Sequence, residues 1–374
     1  MDEKIRVLRI IGECKTGGTE TIALNYYENL DHGKIAMDFL FFGESLPRFS
    51  RELEANGDKV INVAAYSENL IQSIRQIKEA VRKGNYDIVH SQLNALNFFP
   101  LLGAWLGGAK IRVAANHSTA NLKYERKKSL LKYLLRPTAR LLATDYAACS
   151  NYAGAWCFGK KAQRDGKIKI IRNAIDLTKF EYSHEIREKV RYEMNWDGRF
   201  VIGHCGRFTE QKNHGFSVDI FREIHERCPQ AILVFIGEGH LMDSVKEQVA
   251  EYGLNDSVQF LGVRFDVNQL MQGMDDFLFP SLYEGLGNVI TEAQAVGLQS
   301  VVSDVVPNEV KLTELVEFVP LKETAAVWAD RVLSYNNGYV RSSRQDALIK
   351  EGYEIQAAAK DLENYYRLLM RKHK

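Results

Sequence analysis

Two α/β domains, each built on a doubly wound parallel sheet, are what the sequence predicts, and three observations carry that reading. Short apolar runs alternate with segments of helical spacing from Ile5 onward. Strict βαβα alternation with crossovers of this length calls for parallel strands. The alternation starts afresh after Phe180. A chain of 374 residues is long for one core and comfortable for two.

In the first half the apolar runs place strands at Ile5–Ile11, Met37–Phe42, Lys59–Asn62, Ile88–His90, Ile111–Ala115 and Asp145–Cys149. The clearest helical patterns lie between them, at Glu20–Leu30, Leu70–Lys83 and Ala95–Leu106. The stretch Asn173–Tyr182 reads as the join, and the charged segment His184–Asn195 opens the second half. Strands are then expected at Phe200–Cys205, Ala231–Ile236, Val258–Leu261, Asp276–Phe279, Ser300–Ser303 and Val316–Val319. Helices are expected at His214–Arg227, Leu241–Tyr252, Val267–Met271 and Asn288–Val296. From about Ser343 to Arg371 the pattern is helical with no strand after it. The expected division is therefore 1–178, 179–342, and a tail 343–374 whose helix crosses back to the first domain. Sheets of this kind bind ligands at the C-terminal ends of their strands, and a ligand between the two domains is the expectation.

Composition excludes several classes. Hydrophobic content of 45% and charged content of 26% belong to a soluble globular protein. A net charge of +1 argues against a nucleic-acid binder, whose affinity rests on phosphate neutralisation. Five scattered cysteines with no CxxC pair make neither a disulfide framework nor a zinc site, and a reducing cytoplasm fits them best. Met1–Lys4 leads straight into an apolar run carrying Arg6 and Arg9, which reads as a first strand and not a signal peptide. The most apolar window, Phe98–Ala109, is broken by Pro100 and glycines and is too short to span a bilayer.

The chemistry gathers at Phe279–Gly297, FPSLYEGLGNVITEAQAVG. A strand, the glycine-punctuated turn Glu284-Gly285-Leu286-Gly287 and a helix start at Asn288 form an anion site, because unpaired N–H groups and the helix dipole face the turn. Two acids, Glu284 and Glu292, flank it. Amides beside acids suit a ligand with a phosphate end and a hydroxyl-rich end, such as a nucleotide sugar. Gly206–His214 brings Arg207 and Lys212 to another strand end just before a helix, where two cations form a diphosphate clamp.

Other motifs admit two readings. Gly12–Thr19 is one residue from a GxxxxGK[ST] loop, but Gly18 stands where the lysine belongs. Gly17 and Gly18 then either let backbone amides approach a ligand or simply make a tight turn. His90 and His117 end strands; His90 reads as either structural or functional, whereas His117, in an Asn-His-Ser-Thr cluster, is better placed to touch a substrate. Between Asn121 and Arg140 seven cations face the single acid Glu125, over a leucine stripe (Leu130, Leu131, Leu134, Leu135). That helix is either an anionic membrane surface element or a solvated face with leucines on the core. Asp275-Asp276 sits at a strand start, at the wrong end for a metal pair, and no other spacing resembles a metal site.

Taken in order, Gly17-Gly18, Asn173-Ala174-Ile175-Asp176, Gly206-Arg207 with Lys212-Asn213, Gly237-Glu238-Gly239, and Glu284 and Glu292 with seven residues between them resemble one group. It is the retaining nucleotide-sugar glycosyltransferases of family 4, with the GT-B fold, which build capsular and exopolysaccharides and glycolipids. The resemblance covers essentially the whole chain. It implies that Arg207 and Lys212 hold the donor diphosphate, Glu292 the ribose hydroxyls and Glu284 the donor sugar. It further implies that the amides of Gly285, Leu286, Gly287 and Asn288 face sugar and phosphates, and that Gly17 and Gly18 approach the diphosphate. The resemblance also implies that His117 is a hydroxyl contact near the sugar and not a general base, and that the base pocket lies around Leu261-Gly262-Val263-Arg264. Departures are local: no proline follows Gly297, Ala174 replaces a glycine, and Val305–Glu309 replaces a Gly/Pro-rich turn.

The expectation is metal-independent, retaining transfer by same-face attack from a nucleotide diphosphate sugar, UDP by family frequency, with no cofactor. The acceptor is a glycan or lipid-linked saccharide at the cytoplasmic membrane face, the membrane being reached through 121–140. A nucleotide-sugar 2-epimerase of the same architecture, or a non-catalytic sugar-nucleotide-binding protein, are the alternatives.

Overall fold

The computed structural model describes residues 4–13, 18–44, 47–120 and 126–374. The chain forms two compact units. The described residues up to 175 form the first together with 352–374, and the second holds 176–351.

The first unit carries seven parallel strands: β1 Ile5–Glu13, β2 Ile35–Phe42, β3 Val60–Val63, β4 Ile88–Ser91, β5 Ile111–Asn116, β6 Asp145–Ala148 and β7 Ile168–Ile170. Their order is β3-β2-β1-β4-β5-β6-β7. Strands buried on both faces need near-continuous apolar runs, and seven of the eight residues of β2 are buried. β1 runs two residues past the expected end, with a register irregularity between Ile10 and Glu13, so Gly12 lies in a strand and not in the loop the spacing suggested. β7 was not foreseen. It is three residues long, at the sheet edge, and alternates apolar with lysine.

The second unit has six parallel strands: β8 Phe200–Cys205, β9 Ala231–Ile236, β10 Val258–Phe260, β11 Asp276–Phe279, β12 Ser300–Ser303 and β13 Val316–Val319. Their order is β10-β9-β8-β11-β12-β13. The core on one side of this sheet is built by Phe208, Phe221, Phe235 and Trp328, all fully buried. Trp328 comes from a helix the sequence reading missed, Ala325–Leu333.

The chain leaves and re-enters the first unit side by side. Ile175 N–H donates to Tyr353 C=O at 3.0 Å, and Ile355 N–H donates to Ile175 C=O at 3.2 Å. The divisions thus fall at 175/176 and 351/352, where the sequence reading had 178/179 and 342/343. Residues 343–351 stay with the second unit because Arg344 pairs with Glu314 at 2.7 Å and the Gln345 amide donates to Leu177 C=O at 2.6 Å. The helix Ile355–Lys372 packs on the first unit, with Tyr366 hydroxyl 2.8 Å from His90 Nδ1 and Lys372 2.6 Å from Asp145.

Candidate active site

The strand order of the second unit reverses between β8 and β11: β9 follows β8 on one side and β11 lies on the other. Loops leaving the two strands diverge there, and the crevice outside their C-terminal ends is where open α/β sheets bind ligands. The two loops that meet at this point carry Arg207 and Lys212, and Glu284.

The loop after β8 is held from beneath. Gly206 N–H donates to Ile236 C=O and Phe208 N–H to Glu238 C=O, both at 2.9 Å. The buried Phe208 ring stacks on His214 at 3.9 Å, and His214 stacks on His204 at 4.3 Å. Burial pushes the His214 imidazole down to about 3, so it is neutral and packs as an aromatic ring. With Phe208 turned inward, its neighbour Arg207 projects outward; its C=O accepts from Thr209 N–H at 2.7 Å, while its exposed side chain pairs with no described residue. The chain then closes a short 3-10 turn, Glu210–Lys212, and Lys212 doubles back across the loop. Its Nζ lies 2.6 Å from Glu284 Oε1 and 4.6 Å from the Phe279 ring centroid. A Cβ on Gly206 would come within 3.1 Å of the Lys212 Cγ and Cδ, so a side chain there would push the lysine aside by a few tenths of an ångström.

Further bonds join the loops after β8 and β11. Leu282 N–H donates to Gln211 C=O at 2.8 Å, the Asn213 side-chain amide donates to Pro280 C=O at 3.1 Å, and the Gln211 amide reaches Glu284 Oε2 at 3.0 Å. Glu284 is therefore a buried carboxylate, 7% exposed, with each oxygen held by a donor from the other loop. Gly285, Leu286 and Gly287 are buried behind it. Gly287 has φ +98, a left-handed turn that a side chain resists, and Asn288 starts the helix Asn288–Ala295 with no side-chain cap.

Glu292 lies on the second turn of this helix. It is half-buried, and its carboxyl makes no hydrogen bond or ion pair with any described residue. Desolvation pushes it up to about 7. The Cys205 thiol at the end of β8 feels it: burial first, and the Glu292 charge second, push that thiol up to about 12. An acid with no partner among the described residues can accept from ligand hydroxyls. The same sheet edge continues to Gly262 and Val263 after β10, where Gly262 C=O accepts from Gly237 N–H at 2.8 Å. Gly237 has φ +131, and a Cβ there would fall 2.2 Å from Gly206 C=O, so the loops after β8 and β9 close on each other only with glycine at 237.

In the first unit, Gly18 begins the helix Gly18–Glu28 and is exposed, while Gly17 lies outside the described residues. His117 follows β5, and its N–H donates to Asn94 Oδ1 at 2.6 Å. Its ring Nε2 is buried with no partner. Burial, followed by the charge of Arg9, pushes the imidazole down to about 4, against an opposing effect of Asn173. His90 is fully buried, and its hydrogen bond to Tyr366 makes it part of the interior.

The basic segment is a helix over Arg126–Leu135, and three of its four leucines do not face the core: Leu130, Leu131 and Leu134 are 53%, 54% and 65% exposed, while Leu135 is half-buried. Its cations are partly spent within the unit. Lys132 donates to Thr119 C=O at 3.3 Å, and Arg136 and Arg140 donate to Trp156 C=O and Phe158 C=O at 3.1 Å. Lys123 lies outside the described residues. Among the described residues no group of three or more His, Cys, Asp or Glu is placed to hold a metal ion, and no helix is long and apolar enough to cross a membrane. Asp275 pairs with Arg187 and, at 3.1 Å, with Arg191. The residues that sequence reasoning passed over are Gln211 and the Phe208–His214–His204 stack, since neither an amide nor buried rings carry a spacing signal.

The fold and this site define a glycosyltransferase of the GT-B class. Residues 199–334 match the family described as Glycosyl transferases group 1, and residues 16–179 match Glycosyltransferase Family 4. EpsF of Bacillus subtilis (strain 168), a protein named as a glycosyltransferase, is 30% identical over 371 residues, 97% of this chain and 96% of its own. An Escherichia coli UDP-Gal:alpha-D-GlcNAc-diphosphoundecaprenol alpha-1,3-galactosyltransferase is 28% identical over 242 residues, 63% of this chain and 62% of its own. Among solved structures, Anabaena HepE in complex with UDP and glucose superposes with a TM-score of 0.74 at 18% identity, over 98% of each chain. This chain belongs to the family 4 glycosyltransferases.

Proposed function

We propose that this enzyme moves a sugar from a UDP-sugar to an acceptor hydroxyl on a lipid-linked saccharide or growing glycan, with retention at the anomeric carbon and without a metal ion. The observation that carries this is the grouping at the β8/β11 switch point of an open guanidinium, a lysine–glutamate pair and an unpartnered acid. In this reading Arg207 and Lys212 bind the diphosphate and offset the charge that builds on it as the sugar leaves, the task a divalent ion performs elsewhere. The helix start at Asn288 and the amides of Gly285–Asn288 add to that field. Glu292 accepts from the ribose hydroxyls, Glu284 from the sugar hydroxyls, and Gly262 and Val263 border the base. No second nucleophile is needed, because a donor phosphate oxygen takes the acceptor proton on the face the diphosphate leaves. His117 in the first unit, neutral at working pH, suits a hydrogen bond to a substrate hydroxyl better than proton abstraction.

The acceptor assignment leans on relatives whose names carry diphosphoundecaprenol or capsular polysaccharide. It leans also on the three exposed leucines of Arg126–Leu135, an apolar face for the cytoplasmic surface of a membrane. A thermal-shift screen of UDP-, GDP- and TDP-sugars, followed by assay of UDP release with and without undecaprenyl-diphosphate saccharides, tests the reading. Stabilisation by UDP-sugars and acceptor-dependent UDP release are expected. Stabilisation by none of them, or a product of inverted configuration, overturns it.

A further inference from the structure

Glu284 is shared between two donors from the facing loop: Lys212 Nζ at 2.6 Å on Oε1 and Gln211 Nε2 at 3.0 Å on Oε2. The lysine is also the cation that a diphosphate would draw away. Once it turns to phosphate, the carboxylate loses its charged partner at the moment it has to meet the sugar. The Gln211 amide is built to remain. Its two hydrogens go to two acceptors, Glu284 Oε2 and Tyr283 C=O, each at 3.0 Å. Both partners can only accept, so the nitrogen is fixed on that side of the amide. Its own carbonyl accepts from Leu282 N–H at 2.8 Å, so backbone and side chain clip three successive residues of the opposite loop.

We propose that Gln211 is a positioning residue that holds the Glu284 carboxylate in the sugar pocket when Lys212 engages the diphosphate. The inference rests on the assignment of Glu284 to the donor sugar. Gln211 acts through Glu284 and touches no reacting atom. A carboxylate in its place removes both donors and sets two acids about 3 Å apart, which raises the proton affinity of the pair. An alanine removes the donors without adding repulsion.

The test compares wild type, Gln211→Ala and Gln211→Glu by calorimetric binding of UDP and of whichever of UDP-glucose, UDP-galactose and UDP-N-acetylglucosamine the wild type holds tightest. Thermal melts serve as the folding control. For Gln211→Ala the UDP affinity should stay within about twofold, while the gain in affinity from the sugar falls about tenfold. For Gln211→Glu the same gain should be lost at pH 8 and partly restored at pH 6, where a shared proton supplies the missing donor. Equal loss of UDP and UDP-sugar binding, or an unchanged sugar gain in both variants, overturns the proposal. A wild type that gains nothing from any of the three sugars over UDP sinks the assignment of Glu284, and the role of Gln211 with it.

Discussion

Donor binding should release a proton from Glu292. The carboxyl is half-buried, has no described partner, and is pushed up to about 7 by desolvation alone. Ribose hydroxyls donating to it favour the ionised form, so the bound enzyme holds this proton less tightly than the free one. The sign follows: an acid whose pKa falls on binding makes binding stronger as pH rises through the free-enzyme value, and weaker below it. If the complex returns Glu292 to the ordinary carboxylate range near 4.5, affinity should fall about fifteenfold between pH 7 and pH 5.5, about 1.6 kcal/mol. The ligand has to be a UDP-sugar, because the terminal phosphate of UDP titrates near pH 6 itself. The neighbouring Cys205 thiol, pushed up to about 12, stays protonated throughout, and the imidazoles of His117 and His214, at about 4 and 3, stay neutral.

Calorimetry in two buffers of different ionisation heat reads the released proton directly. Near half a proton should leave per UDP-sugar bound at pH 7, rising toward one at pH 6. Glu292→Gln should bind with flat pH dependence and release none. An affinity that does not change between pH 7 and 5.5, or a Glu292→Gln variant that still tracks the wild type, refutes the reasoning.

Removing the open cation, Arg207→Ala, should lower kcat by roughly 100- to 1000-fold with the fold intact, measured as UDP release. Arg207→Lys should recover only part of this, because an ammonium lacks the planar fork. Gly237→Ala should lose about 1–3 kcal/mol in urea unfolding, since its Cβ would lie 2.2 Å from Gly206 C=O at φ +131. Leu134→Glu should weaken sedimentation with anionic liposomes severalfold while UDP-sugar binding is unchanged, and equal sedimentation removes the membrane role from this helix. EDTA should leave turnover unchanged; loss restored by Mn²⁺ would reverse the metal-free assignment.

Much of this was legible in the residues because parallel sheets write themselves as apolar runs. All six expected strands of the second unit formed, each within a residue of its expected ends. β7 escaped because an edge strand of three residues needs no continuous apolar run. The end of β1 was misplaced because Gly12 reads as a turn signal, whereas the strand carries the glycine through to Glu13. The division after residue 342 slipped because what holds 343–351 to the second unit is Arg344 on Glu314 and one amide on Leu177, pairings between distant residues with no local pattern. In the basic helix both faces were legible but not the direction each takes. Three of the leucines point outward, and Arg136 is turned to the interior by Tyr133 and Trp156, whose ring centroids lie 4.9 and 5.7 Å from its guanidinium carbon.

The site residues divide in the same way. Arg207, Lys212, Glu284 and Glu292 stood out as charges at strand ends and helix starts, but their states did not. Arg207 is open and Lys212 is engaged, though the two read alike in sequence. Lys212 and Glu284 have side chains only 18% and 8% exposed, so separating them without new partners would leave a desolvated charge on each loop. A ligand that brings a phosphate to the ammonium and a hydroxyl to the carboxylate replaces both partners at once, and a ligand carrying only one of them does not. The pair therefore favours a molecule with both ends over its fragments. A bare sugar should gain little here, since the lysine keeps its grip on the carboxylate until a phosphate arrives.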